Sequence, residues 1–166
     1  MISIPSPLHP AIVHFPIVLI LLGTLAAVAA AFVRRFHLPW LAAAMLAGGA
    51  LGAIAATWTG DEDQEIVGEL APTTEGILEQ HEQWGKRTRN IAILAALLAT
   101  AGVSTTRFPK VARGLGIAAA VAAVSASYAV SETGHYGGQL VYKNGVGINT
   151  TTGNSQSVGG EKTGTD

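Results

Sequence analysis

The sequence predicts an all-α membrane protein: a four-helix transmembrane bundle with a long outer loop and a disordered C-terminal tail. Three observations carry this expectation. Apolar residues make up 49% of the 166 residues and charged residues only 13%, about half the charged share usual in a soluble domain. Most apolar residues fall in charge-free blocks of about 20 residues, the length at which a helix rising about 1.5 Å per residue crosses the hydrocarbon core. The charges gather between the blocks, so a net charge of -1 hides a strong segregation.

The blocks fall at about 11–33, 40–59, 90–106 and 114–132, within one membrane domain of residues 1–148. The first is not preceded by the basic region of a signal peptide or followed by its small-residue cleavage site, so it should stay in the membrane. On the second, Gly48 and Gly52 stand one turn apart, a spacing that lets helices approach closely in lipid. The third has the shortest fully apolar portion and fades in Ser104, Thr105 and Thr106. Ahead of it, the pattern over 74–89 predicts a helix in the outer loop, with Thr74 as its cap and Glu82–Lys86 as a supporting pair. After the fourth block, residues 139–148 alternate around Asn144-Gly145, a hairpin signal. Residues 149–166 are rich in Thr, Gly, Ser and Asn, and are expected to be disordered because they cannot bury a core.

Lysine and arginine set the orientation. The short first and third connections carry Arg34, Arg35, Arg107, Lys110 and Arg113, which places them in the cytoplasm and both termini outside. The middle connection holds Lys86, Arg87 and Arg89 among many acids, and acids count little in this rule. Trp58 and Trp84 then mark the outer boundary and Trp40 the inner one.

This topology brings His9, His14, His81 and His135 to one side of the bundle, while His37 sits in the Arg34–Pro39 turn as an ordinary loop residue. Each has a plain reading as a helix-entry, surface or turn residue. His14 resists it most, because a polar group inside lipid faces a bundle interior or a cavity. Pro16 lacks the N–H that would bond the Ile12 carbonyl, and is expected to bend the helix beside His14. His14 from the first span, with His81 or His135, would make a shared site between helices. Neutral imidazole suits Zn, Cu, Ni and Fe, and two histidines can also hold haem b without covalent attachment. Lys86, Arg87 and Arg89 lie at the depth of haem propionates, or pair with Glu79 and Glu82. Glu132 could orient His135 or simply mark a helix end.

The absence of cysteine excludes disulfides, iron–sulfur clusters and covalent haem. The "DEDQE" run lacks the ligand spacing and turn glycine of a calcium loop. No Ser-His-Asp order, phosphate-cradling loop or HExxH motif offers catalytic residues, and no basic patch offers a nucleic-acid surface.

"LHPAIVHFPI" opening the first span, the glycine-rich second span ending in "TGDED", a histidine in the outer loop, and "GHYGGQLVYKNGVG" after the fourth span together resemble a bacterial membrane family, domain of unknown function 2231. The likeness extends from Leu8 to about Ile148. It implies four spans in a bacterial inner membrane. It also carries His9, His14 and His135, and less directly His81, onto this chain as motif residues. Some relatives resemble fusions to Rieske or cytochrome c modules, which implies redox partners on the outer face. The resemblance further implies a histidine in many relatives where Asn144 stands here, and so one polar contact fewer in this chain. The leading expectation is a membrane subunit holding haem b or a transition metal for electron transfer. The alternatives are a cofactor-free structural subunit of a larger complex and a metal-transport accessory protein.

Overall fold

The structure is a computed structural model that describes residues 9–33, 37–64, 70–105 and 107–146. Five helices follow in order: α1 (His9–Ile12), α2 (His14–Phe32), α3 (His37–Gln64), α4 (Pro72–Ser104) and α5 (Pro109–Tyr142). The one-turn α1 leads into α2, and the four long helices form a ring in which α2 packs on α3, α3 on α4, α4 on α5 and α5 back on α2. No strand occurs among the described residues. The expected disorder of 149–166 and the Arg34–Arg35 pair fall outside them.

Among the described residues, three helical stretches are long and apolar enough to cross a membrane: His9–Phe32, His37–Glu62 and Pro109–Tyr142. The expected span at 90–106 is the second half of α4, continuous with the loop helix expected at 74–89. That half is too short in apolar residues to reach the same standard alone, yet it buries Ala92, Ala95, Ala96, Ala99 and Val103 in the bundle. His37 is the exposed first residue of α3.

The core is made chiefly of alanine, so the helices can pack at short range. Its two largest fully buried side chains are Ile20 and Leu46, and they interlock. Ile20 lies over Gly49, where an added Cβ would come within 2.8 Å of its Cγ1, and Leu46 lies over Gly23, where the distance would be 3.0 Å. Gly48 and Gly52 serve as expected, facing Leu19 and Pro16 at 3.1 Å from where a Cβ would stand. Phe15, Leu25, Leu51, Leu97 and Val121 point outward, as suits a surface solvated by hydrocarbon.

Three local expectations change. Pro16 interrupts the helical hydrogen bonding beside Val13, whose backbone nevertheless stays helical at φ -59° and ψ -29°, with the Val13 N–H bonded to His9 and the Ile17 N–H to Val13. Pro16 is buried against Gly52, so packing fills the place where a cavity was expected. The Asn144-Gly145 hairpin does not form. Helix α5 runs on to Tyr142, and Gly145, at φ 66°, ends it with N–H bonds from Gly145 to Val141 and from Val146 to Leu140. The hairpin dipeptide and a helix stop use the same left-handed glycine, and the helix continues because Leu140 is buried. Thr74 is not the cap of α4. Ala71 holds that position, and the Thr74 hydroxyl instead reaches Asn144 Oδ1 at 3.2 Å.

Candidate functional site

Helix α1 packs against α3. His9 therefore faces the bundle, where its Nδ1–H donates to the Ala56 carbonyl at 2.8 Å. Gly60, one turn on, provides the seat for the ring: a Cβ there would stand 3.1 Å from Nδ1 and 3.2 Å from Cε1. Across the bundle, His81 on α4 is built in the same way. Its Nδ1–H donates to the Thr133 carbonyl at 3.0 Å, and it lies against Gly137, where a Cβ would fall 3.0 Å from Cε1. The two rings meet edge to face, with centres 6.1 Å apart and planes at 88°.

A carbonyl can only accept, so each bond places a proton on Nδ1. Burial lowers the His81 pKa below the usual 6.5; the bond to Thr133 opposes this, His9 adds to it, and Glu82 opposes it. Neutral imidazole is the form that binds metals, and a carbonyl on the far nitrogen is how proteins orient such ligands.

Beneath the pair lies a polar layer. Thr133 gives its hydroxyl proton to the Ala129 carbonyl at 2.8 Å, so Thr88 must be the donor in their 3.1 Å contact. Gly85 lies between the methyls of Thr133 and Thr57. Every fully buried side-chain nitrogen and oxygen among the described residues has a partner.

The other candidates stand apart from this pair. His14 is exposed, and its Nδ1–H donates back to Pro10 at 2.9 Å. His135 is also exposed. It follows Thr133 and precedes Gly137 by two positions, which turns it to the opposite face of α5 from His81. Its Nε2 accepts from the Gln139 amide at 2.8 Å. The expected meeting of His14 with His135 therefore gives way to His9 with His81. Glu132 is hydrogen-bonded to Tyr128, one turn back. Lys86 makes the expected pair with Glu82 at 3.0 Å. Arg87 stacks on Trp84 at 4.7 Å, and Trp84 meets Tyr128 edge to face at 5.8 Å. Arg89 points inward, with Nη1 3.5 Å from Thr57 Oγ1. Among the described residues, no group of three or more His, Cys, Asp or Glu is placed to hold a metal ion.

The residues that sequence reading missed are the seats: Ala56 with Gly60, and Thr133 with Gly137. Each pair stands four apart, one helical turn, and that small-residue spacing was the available signal.

No curated protein and no solved structure gives a match. The family model described as "Predicted membrane protein (DUF2231)" matches residues 5–150. This is a membrane protein, and the chain belongs to that family.

Proposed function

We propose that this membrane bundle holds one first-row transition-metal ion between His9 and His81, and that the ion serves electron transfer. The observation that carries the reading is the matched pair of Nδ1–carbonyl bonds on rings whose centres are 6.1 Å apart. Two imidazole bonds of about 2.0–2.1 Å to a shared ion bring ring centres to roughly that separation. The tight seats at Gly60 and Gly137 favour a bare ion over haem b, which needs room for a macrocycle between its axial ligands. The redox setting implied by the family resemblance favours copper or iron over zinc.

Elemental analysis of the detergent-purified chain should find about one copper or iron per protein, with an absorption or spin-resonance signal that changes on reduction. His9→Ala and His81→Ala should each remove it, while His14→Ala and His135→Ala retain it. Protein without stoichiometric metal, or equal loss in all four variants, would overturn the proposal.

The same bonds also favour a second reading, a structural subunit without cofactor. They tie α1 to α3 and α4 to α5, and in that case the His9 and His81 variants would lose stability and no metal.

A further inference from the structure

The opposite end of the bundle carries an open recess of about 660 Å³, within the range of about 300–1,000 Å³ typical of small-ligand sites. It lies where the end of α2, the start of α3, the end of α4 and the start of α5 meet. Its wall is mostly apolar, including Ala27, Ala99, Gly102 and Gly116, and Trp40 and Arg113 also line it. Both of these are exposed. Arg113 makes no ion pair among the described residues. Gly116 borders open space, since a Cβ there would meet nothing within 4 Å.

We propose that this recess binds an anionic phospholipid, with one acyl chain against the apolar wall and the phosphate on Arg113. A slot of alanine and glycine in a membrane helix bundle accepts hydrocarbon without leaving polar groups unsatisfied. The guanidinium fork matches phosphate oxygens, and an indole at the rim suits the headgroup level. Arg107 and Lys110, exposed on the same connection, strengthen the local positive field. Basic pockets between membrane helices select anionic headgroups in this way. An uncharged occupant such as a quinone would leave that cationic rim unused. The site is separate from the histidine pair and independent of any metal there.

The test is native mass spectrometry of the full chain, delipidated in detergent and then offered phosphatidylglycerol or phosphatidylcholine micelles. About one phosphatidylglycerol should be retained per chain, and phosphatidylcholine should not be. Arg113→Gln should lower retention about tenfold, as expected for loss of a charge-assisted hydrogen bond. Gly116→Leu should fill the slot and abolish retention while circular dichroism shows unchanged helix. Lys143→Gln, at the other end, should retain lipid as the unmodified chain does. Equal retention of both lipids, undiminished retention by Arg113→Gln, displacement of the lipid by inorganic phosphate alone, or a second copy of the chain in place of lipid would each overturn the proposal.

Discussion

Burial disfavours the charged form of His81 in the folded chain, and this has a consequence for stability. Above its ordinary pKa of 6.5 the ring is neutral in both folded and unfolded chains, and the contribution to stability is full. Below that value the unfolded chain takes up a proton that the buried ring resists, so stability is lost as pH falls through the window beneath 6.5. Thermal unfolding in detergent with a chelator present should show this decline as pH falls below 6.5. His81→Asn should flatten it. The seats can be tested in the same way. In Gly137→Ala the new Cβ would stand 3.0 Å from His81 Cε1, which should cost about 1–3 kcal/mol through overpacking and disturb any ion held by the ring. Unfolding midpoints and a metal titration of that variant measure both effects. Of this detail, the sequence made legible that histidines gather at one end. Which two meet was not legible, because it depends on which side of the first helix packs on α3: His9 lies over Gly60 while His14 stays exposed.

The helices themselves were readable from hydropathy because long charge-free runs leave few alternatives. Their ends were less so. Asn144-Gly145 supports either a hairpin or a helix stop, and the outcome turned on Leu140 being buried by its neighbours, a tertiary effect. The contact between α2 and α3 gives a sharper test of how much the small residues matter. Gly49→Ala would put a Cβ 2.8 Å from Ile20 Cγ1 and 3.2 Å from the Ile20 backbone nitrogen. Backbone cannot yield as a side chain does, so a loss of about 1–3 kcal/mol is expected. Gly114→Ala meets nothing within 4 Å, and should stabilise α5 by about 0.5–1 kcal/mol, the ordinary helix cost of glycine. Reversible unfolding in mixed micelles would compare the two. Equal effects would mean that the glycines are not what brings α2 and α3 together.

The arrangement of the whole chain depends on α4. Among the described residues, three helical stretches qualify as spans by length and composition, yet α4 is packed between α3 and α5 along the ring. Its second half buries alanines against both neighbours while Leu94 and Leu97 face outward. A helix packed on two neighbours needs less apolar length than one that stands alone in the bilayer. Helices α3 and α5 would therefore be joined through a true crossing, which puts the connection after α4 on the side opposite the connection before it. The basic residues favour the same parity, with Arg107, Lys110 and Arg113 on the cytoplasmic side and the histidine pair on the outer side. Compartment-sensitive reporters fused after Arg35, after Leu70, after Arg107 and after Val146 should alternate inside, outside, inside, outside. The same compartment for the Leu70 and Arg107 fusions would show that α4 does not cross. The last reporter decides the rest: a cytoplasmic Val146 fusion would put the histidine pair on the inner face, out of reach of redox partners on the outer side.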